Sequence, residues 1–360
     1  MSAFAHRLIV WQRRHGRHGL PWQGTRDPYL VWLSEIMLQQ TQVATVIPYF
    51  QRFRARFPDV TSLAAADEEQ VLQLWSGLGY YSRARNLHRA AQAIVSAHGG
   101  AFPTAREAIE SLPGIGRSTA AAIAALAFGA REAILDGNAK RVLARHFAVA
   151  GRPGVPAVDR ELWRLADSLL PTRDVARYTQ ALMDLGATLC TLRSPSCPRC
   201  PVGDTCGALA LQRVADFPAP RPTRTLPHRS THMFVLVNGT DVLLEKRPAP
   251  GIWGGLWSFP EAPSHADLAG LAKRHSLLVL SEEELATVAH GFTHFTLDIQ
   301  PIVVRVQAKF VTAAEPGALW VPFEAADSVA LPAPVKRIMA ALARSARGEP
   351  ALFQEPLQDL

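Results

Sequence analysis

The stretch Leu112-Pro113-Gly114-Ile115-Gly116-Arg117-Ser118-Thr119-Ala120-Ala121-Ala122 decides the fold. An apolar residue, a proline and two glycines make a tight hairpin, and the alanine-rich run that follows, to about Phe128, is predicted to be a helix. Gly114 and Gly116 allow positive φ and close backbone approach. Gly116 also leaves open the first amides of the following helix, which carry the positive end of its dipole. Such a hairpin suits the gripping of a phosphate through backbone N–H groups. An ordinary helix–helix turn would use the same residues.

The 360 residues are enough for two domains, and 48% hydrophobic against 19% charged residues allows proper cores. No apolar run reaches membrane-spanning length, so no membrane partner is expected. The N-terminus from Met1 to Trp11 is amphipathic and lacks a signal-peptide core, which implies a cytoplasmic protein. The formal net charge of +7 is unevenly placed. Met1 to Cys206 carries 24 basic and 16 acidic residues, whereas the remainder carries 14 and 15. The basic half is almost all arginine, with Lys140 its only lysine. Positive charge concentrated there suggests a polyanionic partner, with a basic solvated surface as the alternative.

The four cysteines, Cys190, Cys197, Cys200 and Cys206, lie within 17 residues in the spacing C-x6-C-x2-C-x5-C. Clustering this tight argues for one shared metal site rather than disulfides. Zinc commonly brings two C-x2-C knuckles and here there is one, so a four-thiolate iron–sulfur cluster fits as well or better.

From the N-terminus, a first basic helix leads to Leu20-Pro21-Trp22, and Pro28 to about Gln40 is predicted as a largely apolar helix holding Glu35. A carboxyl among apolar neighbours loses hydration, stays protonated near neutrality and can serve as a general acid; a buried Glu paired with arginine is the other reading. Gln39-Gln40-Thr41-Gln42 can contact base edges or simply end a helix in polar residues. Further helices are predicted at about Val43–Arg56, Asp67–Trp75, Ser82–His98 and Thr104–Glu110. Gly77-Leu78-Gly79-Tyr80-Tyr81 could insert Leu78 and a tyrosine into a base stack or pack them under a loop. Asp136 precedes a helix starting near Ala139. It could cap that helix, as could Asn138, or act as an ionised carboxylate beside a developing positive charge. Helices at about Arg160–Leu170 and Arg177–Cys190 lead into the cysteines.

Gly207–Ser230 is rich in proline and arginine and is predicted to be a linker. The periodicity then changes. Met233–Val237, Asn238-Gly239 and Val242–Leu244 signal a hairpin, Thr296–Val311 is β-rich, and Pro334–Ala346 is helical. The second domain is expected to be α+β.

Together LPWQ (Leu20–Gln23), SEIMLQQTQV (Ser34–Val43), GLGYYSRARN (Gly77–Asn86), LPGIGRSTA (Leu112–Ala120), ILDGN (Ile134–Asn138), MDLGA (Met183–Ala187) and the cysteine spacing resemble the MutY-type adenine DNA glycosylases, from Met1 to about Arg344. The resemblance implies a multidomain protein: an all-α helix-hairpin-helix glycosylase with a [4Fe–4S] cluster, followed by an α+β Nudix-like domain. The helical region would be 1–206, with a six-helix barrel at about 26–133 and a cluster module from 1–25 and 134–206. A linker at 207–230, a Nudix-like domain at 231–346 and a tail at 347–360 would follow. The implied activity is removal of adenine mispaired with 8-oxoguanine or guanine from double-stranded DNA, by a monomer associated with the nucleoid.

Residue by residue, Glu35 resembles the family's acid and Asp136 the carboxylate that stabilises the sugar cation, with Asn138 beside it. Tyr80, Gln40 and Thr41 match residues around 8-oxoguanine. Trp22 and Gln180 match the adenine pocket, and the four cysteines match the cluster ligands. Ser118 stands where the related endonuclease III enzymes carry a lysine. An alcohol cannot form a Schiff base, so a monofunctional glycosylase is expected, with Lys140 the only amine left for residual strand cleavage. Between Gly255 and Glu284 the magnesium-holding array of a Nudix hydrolase is missing, so the second domain is read as a binding module. Phe292-Thr293-His294 resembles the family's Phe-Ser-His loop, with threonine adding a methyl and a stiffer χ1.

Overall fold

The computed structural model describes residues 2–220, 225–308 and 316–347. The chain divides into two compact units, one of Met1–Ala66 and Arg85–Thr223, the other of Asp67–Ala84 and Arg224–Leu360. Asp67–Ala84, continuous in sequence with the helical region, therefore packs with the C-terminal part.

The first unit is helical. Its elements are α1 (Ala3–His15), α2 (Pro28–Leu38), α3 (Val43–Arg56) and α4 (Val60–Ala64), then most of α6 (Ser82–His98) and α7 (Arg106–Glu110). They are followed by α8 (Arg117–Phe128), α9 (Gly137–His146), α10 (Pro156–Leu169), α11 (Val175–Thr188) and the short α12 (Gly207–Ala210). The intervening α5 (Glu68–Trp75) belongs to the other unit. α2 starts on an Asp27 cap that accepts from Tyr29 N, with Pro28 pre-set at the first turn, and nearly every residue to Met37 is buried. α8 is the alanine helix. Its small side chains from Ala120 to Ala127 are buried, and Gly129 ends it in the left-handed conformation. α1, α8, α9, α10 and α11 enclose one apolar core that includes Leu8, Ala125, Leu143, Leu162, Leu182 and Leu185.

Residues Gly207–Pro218, predicted as free linker, are folded. Phe217 is buried, and Arg145 Nε donates to its carbonyl at 2.9 Å. Ala219 N also donates to Gly151 O. Arg221–Arg224 of the predicted linker, Lys309–Val311 of the predicted β stretch and all of the tail after Arg347 lie outside the described residues.

The second unit is built on a mixed sheet, in agreement with an α+β domain. β1 (His228–Asn238) pairs in parallel with β7 (Thr296–Ala308) and antiparallel with β2 (Asp241–Lys246). β3 (Trp257–Ser258) and β8 (Ala318–Pro322) flank β2; β4 (Glu261–Ala262) pairs β1; β5 (Leu277–Glu284) and β6 (Val288–Gly291) pair β7. The hairpin turn is Gly239-Thr240, because Asn238 is still paired with Asp241. Met233–Val237 are buried on both faces, as in a central strand. Phe234, Leu236, Leu243, Ile302 and Val304 pack under α13 (Leu268–Arg274). α14 (Ala333–Ala346) buries Val335, Ile338 and Met339.

Candidate active site

A cavity of about 1180 Å³ opens in the helical unit. Glu35, Asp136, Asn138, Trp22, Thr41, Ser118 and Gln180 all line it, so residues far apart in sequence converge there. Glu35 sits between Ser34 and Ile36 on the apolar helix α2. Loss of hydration, then the nearby charge of Asp136, push its pKa from 4.5 up to about 8. It therefore keeps its proton at neutral pH and can deliver it.

Asp136 is the N-cap of α9 and accepts from Ala139 N at 2.8 Å through Oδ1. Its Oδ2 accepts from Asn138 Nδ2 at 3.2 Å. Capping and site membership thus coexist, since both oxygens are fixed by donors of α9's first turn while the carboxyl borders the cavity. Asn138 is held in turn. Arg141 Nη2 donates to its Oδ1 at 2.8 Å and to Gly186 O at 2.7 Å, and Arg141 Nε donates to Cys190 O at 2.7 Å. Gly186 packs so closely that a Cβ there would stand 2.5 Å from Asn138 Cβ. Sequence reasoning missed Arg141 and Gly186 as site supports. The glycine inside MDLGA was the available signal, because a mid-helix glycine marks close approach.

Trp22 is buried and meets the Phe50 ring edge-on at 5.3 Å, forming a wall of the cavity. Gln180 Nε2 donates to Asp184 Oδ1 at 3.0 Å. Asp184 is fully buried and also accepts from Arg17 N and Nε, at 3.1 and 2.7 Å. Gln39 of the polar run also lines the cavity, as does Arg17, which the sequence did not single out. Gln40 is exposed, in left-handed backbone with φ 55°, and is not among the lining residues. Ser118 Oγ accepts from Leu135 N at 2.9 Å, tying α8 to the segment that carries Asp136. Lys140 is paired with Asp159 at 3.0 Å and is not among the lining residues.

In the hairpin between α7 and α8, Leu112 and Ile115 are buried while Gly114 and Gly116 are exposed. Gly114 has φ +78°, and a Cβ there would strike Asn86 at 2.6 Å. Gly116 corrects the sequence expectation. Its φ is −98°, so it needs no glycine freedom; it caps α8 with open space where a side chain would be.

In the second unit the Tyr80 side chain of the wedge is exposed, at 40%, whereas Leu78 and Tyr81 turn inward at 6% and 8%. Leu78 is therefore a buried foot of the loop. Phe292 stacks on Phe295 at 4.3 Å and lies 5.5 Å from Trp253. That leaves Thr293 and His294 exposed, with Thr293 Oγ1 3.2 Å from His294 Nδ1.

The cysteines follow α11 on two tight turns, Cys197–Arg199 and Gly203–Thr205. Burial, then the charges of the other three thiols, push Cys200 up to about 11. Arg145, 3% exposed, points Nη1 at Cys190 Sγ from 3.4 Å. Among the described residues no three acidic, His or Cys side chains stand close enough to grip one metal ion. Four Cys thiolates are the donor set that holds an iron–sulfur cluster. The donor set and the buried guanidinium beside it fit such an anionic cluster. No helix among the described residues is long and apolar enough to cross a membrane.

Residues 33–168 match the HhH-GPD superfamily of base excision DNA repair proteins, and residues 232–341 match the NUDIX domain. An adenine DNA glycosylase of Buchnera aphidicola (subspecies Acyrthosiphon pisum) is 34% identical over 338 residues, covering 93% of this chain and 96% of its own. The human adenine DNA glycosylase is 34% identical over 402 residues, covering 94% of this chain and 73% of its own. A thermostable thymine-DNA glycosylase structure aligns with TM-score 0.52 at 28% identity, over 58% of this chain and 95% of that one. An endonuclease III–DNA complex shares the fold at TM-score 0.50 and 20% identity, over 58% of this chain and 94% of that one.

Proposed function

Because the chain belongs to the adenine DNA glycosylase family, and so is a hydrolase of N-glycosyl bonds, we propose that it excises adenine mispaired with 8-oxoguanine or guanine in duplex DNA. The observation that carries the mechanism is the contrast between two carboxyls at one cavity. Glu35 is held protonated up to about pH 8, while Asp136 has both oxygens fixed by N–H donors.

The mispaired adenine leaves the stack, at a cost of a few kcal/mol that a mispair reduces. Glu35 passes its proton to the adenine ring at N7. The bond between base and sugar breaks with its electron pair going to the base, and positive charge develops on the sugar. Asp136 faces that charge, and Asn138 keeps its carboxylate in place. Water then completes hydrolysis. Trp22 and Gln180 border the base, with Gln180 oriented by Asp184. Ser118 contributes a hydrogen-bond acceptor, not an amine, so the sugar is left uncut. The Leu112–Gly116 hairpin presents backbone amides to a phosphate. Tyr80 and the Phe292–His294 loop contact the opposite base, with Thr293 and His294 as its polar groups.

Cys190, Cys197, Cys200 and Cys206 would hold a [4Fe–4S] cluster, which when bound supplies structural cross-linking of this segment. Visible absorbance of the purified protein tests that assignment, and a colourless protein containing zinc would reject it.

The function is tested on one duplex with adenine opposite 8-oxoguanine, treated with enzyme and then hot alkali. Breaks at the adenine only after alkali support a monofunctional adenine glycosylase. Breaks without alkali would indicate a lyase, and binding without breaks would reject catalysis.

A further inference from the structure

The segment Glu68–Tyr81 is tied to the C-terminal part of its own unit by a set of directed bonds. Ser76 Oγ donates to Leu331 O at 2.6 Å and accepts from Leu331 N at 3.2 Å. Tyr81 OH donates to the same carbonyl at 3.3 Å and accepts from Gly77 N at 3.2 Å. Upstream, Glu69 accepts from Trp257 Nε1 at 2.6 Å and Lys246 Nζ at 3.0 Å, and Gln73 Nε2 donates to Asp327 O at 2.9 Å. Ser76, Tyr81 and Leu331 are all buried.

The loop that these bonds bracket is held in an uncommon conformation. Gly77, Gly79 and Tyr80 all have positive φ, at 105°, 70° and 48°. For tyrosine that region is disfavoured and persists only when the surroundings impose it. Trp75 Nε1 and Arg83 Nη2 both donate to Gly79 O, and the Arg83 guanidinium lies 5.4 Å from the Tyr80 ring. The exposed Tyr80 is thus mounted on a loop whose two ends, at Ser76 and Tyr81, converge on one backbone position between β8 and α14.

We propose that Ser76 and Tyr81 are positioning residues that hold the Tyr80 loop to the Leu331 backbone. The β-rich part of the chain thereby sets the pose in which Tyr80 meets the base opposite the adenine. This rests on the reading of Tyr80 as a base-contacting residue. The domain match and the loop motif are each independent of these bonds. What the bonds add is that reading of the opposite base and opening of the stack share one mechanical support.

The test uses the full chain and a duplex with adenine opposite 8-oxoguanine and 2-aminopurine beside the 8-oxoguanine, whose fluorescence rises when it unstacks. Tyr80→Ala is expected to abolish the rise. Ser76→Ala is expected to lose most of it and to slow single-turnover excision roughly 10- to 100-fold, as a misplacement on the order of 1 Å does. Ser76→Thr, which retains the hydroxyl, is expected to restore both. In the Tyr80→Ala background, Ser76→Ala is expected to change nothing further. Should Ser76→Ala fail to fold, Tyr81→Phe removes one hydroxyl from the same carbonyl and is expected to act in the same direction. A full fluorescence rise in the Ser76→Ala or, failing that, the Tyr81→Phe protein, with the rise lost in Tyr80→Ala, would overturn the latch alone. A rise that survives Tyr80→Ala would reject the Tyr80 reading, and the latch with it. Equal damage from Ser76→Ala with and without Tyr80 would show a general effect and also overturn it.

Discussion

Gly186→Ala puts the geometry of the acid–carboxylate pair to a quantitative test. The added methyl carbon would lie 2.5 Å from Asn138 Cβ, 3.0 Å from its Cα and 3.2 Å from its carbonyl carbon. Carbon atoms in contact prefer about 3.5–4.0 Å, so the first turn of α9 must retreat from α11 by roughly 1 Å. Two of these three atoms are backbone and the third is Cβ, so a rotamer change cannot relieve the clash. Asn138 donates to Asp136, and Asp136 caps the same turn through Ala139 N. The retreat therefore carries the carboxylate with it. A displacement of ~1 Å at a reacting group costs about 10²-fold in rate, whereas overpacking costs about 1–3 kcal/mol of stability. Single-turnover excision from an adenine·8-oxoguanine duplex, read as alkali-labile sites, measures the first. A thermal melt measures the second. The expected variant is folded, binds DNA and excises adenine about 10²-fold slower. A folded Gly186→Ala protein with the wild-type rate would refute the argument that the α9–α11 contact places Asp136.

Three further substitutions carry expected outcomes. Ser118→Lys puts an amine at the cavity and removes the acceptor of Leu135 N, so borohydride-trappable cross-links to DNA are expected, at a stability cost of about 1–3 kcal/mol, and wild type is expected to give none. Glu35→Gln is expected to lose about 10²–10⁴ in rate while keeping DNA affinity. It also changes stability with a definite sign. Because the folded protein raises this pKa from 4.5 to about 8, wild type loses stability as pH climbs between those values. The variant's Tm should exceed that of wild type above pH 8, with the gap closing below pH 4.5. Thr293→Ser keeps the hydroxyl beside His294 and frees its χ1, and is expected to shift the rate ratio between 8-oxoguanine and guanine opposite adenine; an unchanged ratio and affinity would remove this loop from recognition.

Much of the site was legible because its residues sit in local patterns with a physical meaning. Glu35 stood out as the charged residue in an apolar run, and Asp136 as a cap before a helix. What failed to show was set by partners distant in sequence. Nothing in the local sequence singled out Arg141, whose bonds to Asn138, Gly186 and Cys190 place it under the site. Gly116 invited a conformational explanation, whereas its φ of −98° shows that the space in front of α8 is what the glycine provides. The wedge motif offers Leu78 and two tyrosines alike, but burial of Leu78 and Tyr81 leaves Tyr80 as the exposed side chain. In the second unit the hairpin was visible from its turn, but the parallel pairing of β1 with β7 joins residues 68 apart and leaves no local trace. Strand β5, with Leu278 and Leu280 exposed and three glutamates at its end, lacks the alternation that would reveal it.

The most direct test of Glu35 as the acid is the pH dependence of single-turnover excision from an adenine·8-oxoguanine duplex. With the carboxyl protonated up to about pH 8, the rate should hold steady through neutrality and then fall about tenfold per pH unit beyond it. A rate that stays level well above pH 8 while the protein remains folded would contradict proton delivery by Glu35.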